Sequence, residues 1–106
     1  MDLFDVMISP KALSQLNSYV DYLQYTLLND QAARNVWQDV METRNQLSKA
    51  AESFKPCSHP LLKKDEYRVI HLWHRYLMLY RIEGSTVYVD AIYHQLQDYE
   101  NIFADE

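Results

Sequence analysis

Arginine, histidine and aromatic side chains are concentrated in the last 40 residues of this 106-residue chain. The segments Tyr67–Ile82 and Val87–His94 interleave them with aliphatic residues in three strand-like runs. Because a strand sends alternate side chains to opposite faces, these residues belong on a sheet. A guanidinium group binds carboxylates and phosphates alike, so an open sheet face can bind a partner or a phosphate. The residues that bear on this chemistry are Arg68, His71, Arg75, Arg81, His94 and Tyr99.

The run around residues 75–82 separates its side chains into two sets. One face of the predicted strand carries Arg75, Leu77, Leu79 and Arg81, and the other carries Tyr76, Met78, Tyr80 and Ile82. Two interpretations of the arginines stay open. They either pair with acids at the solvent side of the sheet, or they belong to a face that meets a partner.

Other kinds of chemistry find little support in the residue types. The four histidines have no second cysteine beside them and no His-Glu-x-x-His motif, so we expect no metal. With one glycine there is no phosphate-binding loop. Cys57 lies two residues from His59, and a cysteine nucleophile needs a nearby histidine as its base. A loop cysteine without a catalytic role is the simpler interpretation. We therefore expect no cofactor.

Size and charge limit the class of protein further. A chain of 106 residues fits one domain, spanning residues 1–106. The net charge of -5 argues against strong direct nucleic-acid binding, which usually needs a basic excess. No apolar run is long enough to cross a membrane, and the single cysteine favours the cytoplasm.

The elements that position these residues follow from local patterns. Residues 3–8 read as a strand, Ser9-Pro10 starts a helix whose apolar residues extend to Leu27, and Asn29-Asp30 starts a second helix up to about Ala51. Residues 52–66 contain two prolines and read as a loop. The predicted strands are Tyr67–Leu72, Arg75–Glu83 and Thr86–His94, with a Gly84-Ser85 hairpin link; the acidic tail could form one docking turn.

This order predicts an α+β fold, β-α-α-β-β-β, in which a helical hairpin packs on a small, mainly antiparallel sheet. Each helix needs a partner for its apolar stripe, and one face of the sheet supplies it. We expect the opposite face of the sheet to remain free for another macromolecule.

The whole chain resembles the RelE/ParE superfamily, the toxin halves of bacterial type II toxin–antitoxin modules. The resemblance rests on the order and spacing of several pieces rather than on any one of them. They are Ile8-Ser-Pro-Lys-Ala-Leu13, Asn29-Asp-Gln-Ala-Ala33, Tyr67-Arg-Val, Arg75-Tyr-Leu-Met-Leu-Tyr-Arg-Ile82 and Ile92-Tyr-His-Gln-Leu-Gln-Asp-Tyr99.

Two activities are implied by the resemblance. RelE-like members cut messenger RNA on the ribosome with basic residues that hold phosphates, whereas ParE-like members poison DNA gyrase. Here Leu77 and Gln95 stand where the nuclease pattern has basic residues, while Arg68 and Tyr99 fit it. We therefore favour the ParE-like class, and we expect no enzymatic activity.

The resemblance also implies partners and effects. We expect a cognate antitoxin that folds onto the toxin, DNA gyrase or the ribosome as possible target, growth inhibition and plasmid stabilisation. The expected antitoxin- or target-binding residues are Arg75, Leu77, Arg81 and Tyr93. The alternative is a ribosome-dependent mRNA endoribonuclease with Arg68, Arg75, His94 and Tyr99 as catalytic residues. A third possibility is a binding module on the same fold that no longer poisons anything.

Overall fold

A computed structural model describes residues 3–106 as four α-helices and a five-stranded sheet. The elements in chain order are β1 (Asp5–Ile8), α1 (Pro10–Asp21), α2 (Asp30–Ala50), β2 (Lys55–Pro56), α3 (Pro60–Lys64), β3 (Arg68–His71), β4 (Tyr76–Glu83), β5 (Thr86–His94) and α4 (Tyr99–Ala104). The predicted α+β fold is confirmed. None of the helices in the described part of the chain is long and apolar enough to cross a membrane.

The sheet has the strand order β1-β5-β4-β3-β2. β1 pairs with β5 in parallel, and the remaining pairs are antiparallel. The link between β4 and β5 is the predicted hairpin, and Gly84 adopts a φ of 61° there. Glycine tolerates this left-handed conformation without steric cost, which explains why the only glycine of the chain stands at this turn.

The first helix begins as its sequence predicts. The hydroxyl of Ser9 accepts a hydrogen bond from the amide of Ala12 at 3.0 Å, and Pro10 occupies the first turn. The predicted continuation to Leu27 is only partly regular, because α1 ends at Asp21 and a π-helical turn, Tyr22–Thr26, follows. The wider turn rotates the end of the apolar stripe outward, and Leu27 is 52% exposed.

The second helix completes the predicted helical hairpin. Asn29 caps it by accepting a hydrogen bond from the amide of Ala32 at 3.0 Å. Two of its large apolar residues, Trp37 and Met41, lie on its exposed flank. The residues of α2 that are buried are Ala33, Val36, Asp39, Val40, Thr43, Leu47 and Ser48.

The main core lies between the helical hairpin and one face of the sheet. Leu16 of α1 and Val40 of α2 meet Met78 and Tyr80 of β4 there, all almost fully buried. The hydroxyl of Tyr80 donates to the carbonyl of Ala51 at 2.6 Å, so this buried polar group is satisfied. This contact holds the end of α2 against the sheet.

The opposite face of the sheet is covered by the chain itself. A second core contains Leu62 of α3 and Leu77 and Leu79 of β4, with Tyr99 and Phe103 of α4 packed against it. The expectation that this face is free is therefore wrong. The predicted docking turn of the tail is confirmed as α4. Together with α3, this helix covers the face that was expected to be free.

A short helix lies in the segment that was expected to be a loop. Proline has no amide hydrogen, so Pro60 can occupy the first turn of α3, and the ring of His59 accepts from the amide of Leu61. The carboxylate of Glu100 in α4 accepts three hydrogen bonds, from the amide and hydroxyl of Ser58 and from the amide of His59, at 3.0–3.1 Å. These bonds fasten α4 to the start of α3.

Candidate functional site

Arg68, a candidate for phosphate binding, is used as a structural donor. Its guanidinium donates to the carbonyl of Phe54 at 2.8 Å and to that of Glu52 at 3.1 Å. Both carbonyls belong to the segment that leaves α2, where the helix has given up its regular hydrogen bonds. Arg68 therefore holds the chain between α2 and β2 in place.

Arg81 lies in an ion pair on the face covered by α3 and α4. Its Nε donates to Asp90 Oδ2 at 2.9 Å, and it also pairs with Glu83. The hydroxyl of Tyr67 donates to the same Asp90 oxygen at 2.7 Å. Desolvation lowers the pKa of the Arg81 guanidinium, but the bonds and charges of the nearby acids outweigh it and raise that pKa.

The position of Asp90 explains how three side chains reach one point. The register of β4 and β5 shifts between Leu79 and Tyr80, which leaves Asp90 as an extra residue in β5. A β-bulge redirects the side chain of its extra residue, and here it directs a carboxylate toward Arg81. This supports the first interpretation of Arg81, an arginine that pairs with an acid.

Two of the predicted binding residues are buried. Leu77 is 0% exposed and Tyr93 is 2% exposed, beneath α3 and α4. The expected exposure of these residues is wrong, because the C-terminal helix covers the face that carries them. A partner could touch them only after α4 had moved.

Tyr99, the predicted catalytic tyrosine, begins α4 and packs into the second core. Burial, followed by the charge of Glu100, raises the pKa of its hydroxyl. A phenol with a raised pKa stays protonated at neutral pH and is a poor proton acceptor. Tyr99 is also absent from the groove that Arg75 and His94 line.

Arg75 and His94 are the two predicted site residues that the structure brings together. Both line a groove of about 580 Å³ at one end of the molecule, where the helical hairpin turns. We call it the tip groove. The hairpin side of the groove is formed by Tyr22, Leu23, Leu27, Ala32, Asn35 and Val36. The other side is formed by Tyr19 of α1 together with residues of the sheet and its flanking loops, Trp73, His74, Arg75, Tyr76, His94 and Gln97.

Two ring-to-ring contacts link α1, β4 and β5 inside the tip groove. The rings of Tyr19 and Tyr76 lie 5.1 Å apart, and His94 meets Tyr76 edge-on with ring centroids 5.2 Å apart. The single hydroxyl hydrogen of Tyr19 is shared between two acceptors, the carbonyl of Ile92 at 2.9 Å and Gln97 Oε1 at 3.1 Å. Burial raises the pKa of Tyr19 to about 12, so this donor keeps its proton. These contacts fix the shape of the groove.

The rim of the tip groove exposes large apolar side chains. Trp73 is 76% exposed, Tyr22 55% and Leu27 52%. Next to Leu27, Leu28 adopts a φ of 51°, and Arg75 on the opposite rim adopts 61°. Left-handed conformations cost a residue with a side chain about 1–2 kcal/mol, and such strain is concentrated at functional sites.

The β3–β4 loop is held against α2 by a buried carboxylate that sequence analysis did not single out. Asp39 is 5% exposed, and its Oδ2 accepts from the backbone amide of His74 at 3.0 Å and lies 2.6 Å from His74 Nδ1. These two contacts place Trp73 and Arg75, the neighbours of His74, at the rim. The available signal was an acid beside Val36 and Val40 on the apolar stripe of α2.

The comparisons with known proteins agree with this architecture. The sequence profile described as the ParE toxin of the type II toxin–antitoxin system parDE matches residues 6–99. A solved chain of the chromosomal ParDE toxin–antitoxin system from P. aeruginosa superposes with a TM-score of 0.71. It shares 19% identity, over 87% of this chain and 96% of its own length, which shows a common fold. No curated protein matches the sequence significantly.

The profile covers nearly the whole chain, and the helical hairpin on a five-stranded sheet is a fold shared with the solved ParDE chain. The chain belongs to the ParE toxin family of type II toxin–antitoxin systems.

Proposed function

We propose that this toxin acts by binding a protein target such as DNA gyrase, and that a cognate antitoxin neutralises it. The observation that carries the proposal is the separation of the four residues that a nuclease would need. Arg68 is bonded to the carbonyls of residues 52 and 54, and Tyr99 packs in the second core, while Arg75 and His94 line the tip groove.

The remaining properties of the chain support a target that is a protein. The net charge of -5 disfavours binding to a polyanion such as RNA. The tip groove exposes Trp73, Tyr22 and Arg75, residue types that carry much of the binding energy at protein interfaces. A buried Cys57 with no partner cysteine fits a reducing compartment, and we propose a cytoplasmic location.

Controlled expression in bacteria tests this proposal. Induction should stop growth, trigger the DNA-damage response and stall replication, and co-expression of the cognate antitoxin should restore growth. An exposed residue far from the groove, changed in Arg44→Gln, supplies the control for expression level. Unimpaired growth with the fold confirmed by circular dichroism would support a non-toxic binding module instead.

The second candidate is a ribosome-dependent mRNA endoribonuclease, and one observation favours it. Arg75 and His94 line the same groove, where a guanidinium could hold phosphate and an imidazole could move a proton. Primer extension on translated messages distinguishes the candidates. Cuts within codons that disappear in both Arg75→Ala and His94→Ala would establish the nuclease, and their absence during growth arrest would favour a protein target.

A further inference from the structure

The tip groove combines an apolar surface with an isolated positive charge. Arg75 is the formally charged residue that lines it, and His74 and His94 line it as well. Among residues 3–106, no carboxylate lines this groove. Elsewhere the chain is acidic, with 15 Asp and Glu against 10 Lys and Arg. The carboxylate of Asp39 does not line the groove, because it is buried under the loop and bonded to His74.

We propose that the tip groove binds one segment of the toxin's protein target, a segment that presents a large apolar side chain beside a carboxylate. In this arrangement Trp73 and Leu27 contact the apolar side chain, and Arg75 binds the carboxylate. The proposal rests on the proposed function, since it assigns a site to the target.

Three features of the groove support an occupant of this kind. The volume of about 580 Å³ lies within the range of roughly 300–1,000 Å³ typical of ligand sites. The charge of Arg75 is complementary to a carboxylate. The rim is preorganised, since His74 is bonded to Asp39 and the Tyr19 and Tyr76 rings contact each other, so less conformational entropy is lost when a ligand binds.

The position and size of the groove favour the target over the antitoxin. A groove confined to one end of the molecule can bind a single side chain of a large folded partner. An antitoxin segment that folds onto the toxin needs a more extended surface. Of the three described residues with side chains in the left-handed conformation, Leu28 and Arg75 flank this groove, and Glu66 lies elsewhere, between α3 and β3.

A small-molecule probe tests the chemistry of the site without knowledge of the target. We would titrate the folded chain with 3-(indol-3-yl)propionate and with tryptamine, which carries an amine in place of the carboxylate, and follow amide shifts by NMR. The anion should bind with a dissociation constant of about 1 mM and shift amides around Trp73 and Ala32. Tryptamine should bind about tenfold more weakly. Arg75→Gln should remove the difference, and Arg44→Gln should preserve it.

Equal binding of the two probes, or shifts located elsewhere on the surface, would overturn the proposal. Specific shifts from a short RNA oligonucleotide with none from the indole acid would also overturn it. Both Trp73 and Arg75 are exposed in the structure, so their substitution should leave the fold intact.

Expression of groove variants separates target from antitoxin. Trp73→Ala and Arg75→Glu should lose growth inhibition, while Trp37→Ala, which changes an exposed tryptophan on the flank of α2, should keep it. Groove variants that still stop growth but escape rescue by the antitoxin would assign the groove to the antitoxin, against the proposal. If the unaltered chain is not toxic, the proposed function fails, and the titration shows separately whether the groove has the stated chemistry.

Discussion

The carboxylate of Asp39 binds His74 twice, through the backbone amide at 3.0 Å and through ring Nδ1 at 2.6 Å. The contact spans 35 residues and joins the middle of α2 to the β3–β4 loop. It leaves the buried carboxylate satisfied, as buried polar groups require. The loop that carries Trp73 and Arg75 is thereby held in a single position at the rim of the tip groove.

Removal of this carboxylate should loosen the loop more than it weakens the core. Asp39→Ala should lower the free energy of unfolding by about 1–3 kcal/mol, because the amide and ring of His74 lose their acceptor. In a Trp37→Phe background, the fluorescence anisotropy of Trp73 should fall. Urea unfolding and anisotropy measure the two effects, with the exposed α2 substitution Glu42→Gln as control. Unchanged anisotropy in Asp39→Ala would show that the loop does not depend on this contact.

Arg68 and Arg75 should respond to truncation in opposite ways. Arg68→Ala should lower the free energy of unfolding by about 1–3 kcal/mol, since two carbonyls of the segment after α2 lose a charged donor. Arg75→Ala should leave stability nearly unchanged, because the side chain is exposed, but it should reduce growth inhibition. Chemical denaturation and growth curves on the same pair provide the comparison. If Arg68→Ala kept its stability but lost growth inhibition, Arg68 would be a functional residue rather than a structural one.

Much of the hairpin and the sheet could be predicted because the signals are local. Ser9-Pro10, Asn29-Asp30 and Gly84 each act on their own backbone, and all three begin or link elements where expected. The structural role of Arg68 and the exposed position of Arg75 could not be distinguished from local sequence signals. The partners of Arg68 are backbone carbonyls, which leave no pattern in the sequence.

The covering of the far sheet face was unpredictable for a related reason. It depends on Glu100 reaching Ser58 across 42 positions and on α3, a single turn that starts at a proline. Neither α3 nor α4 has an apolar stripe long enough to reveal which face it packs on. The burial of Leu77 and Tyr93, which were expected to be exposed, follows from that packing.

The raised pKa of the half-buried Tyr67 predicts a loss of stability in alkali. Burial first, and then the bond to Asp90, raises the pKa of Tyr67 to about 12, above its ordinary value of 10.0. Because the folded pKa is the higher one, this contribution is fully present below pH 10 and is lost as the pH rises toward 12. The free energy of unfolding should therefore decline over this range. Tyr67→Phe should show a shallower decline in urea titrations between pH 9 and 11.5; an unchanged slope would contradict the assignment.

The thiol of Cys57 reports on the attachment of α4. Cys57 is 1% exposed, and burial followed by the charge of Glu100 raises its pKa to about 12, so it should resist alkylation at pH 8. Iodoacetamide should modify it at least about a hundredfold more slowly than an exposed thiol on α1, introduced as Ser18→Cys. Glu100→Ala, which removes the three bonds to residues 58 and 59, should accelerate the reaction. Equal rates in the parent and Glu100→Ala would show that these bonds do not keep the face closed.

The supercoiling activity of purified DNA gyrase in the presence of this chain tests the central claim most directly. We expect the folded chain to inhibit supercoiling in a concentration-dependent manner. Trp73→Ala should weaken that inhibition at least about tenfold, and Trp37→Ala should not. Unaltered supercoiling at every concentration, together with codon-specific cleavage of messages in induced cells, would contradict the account.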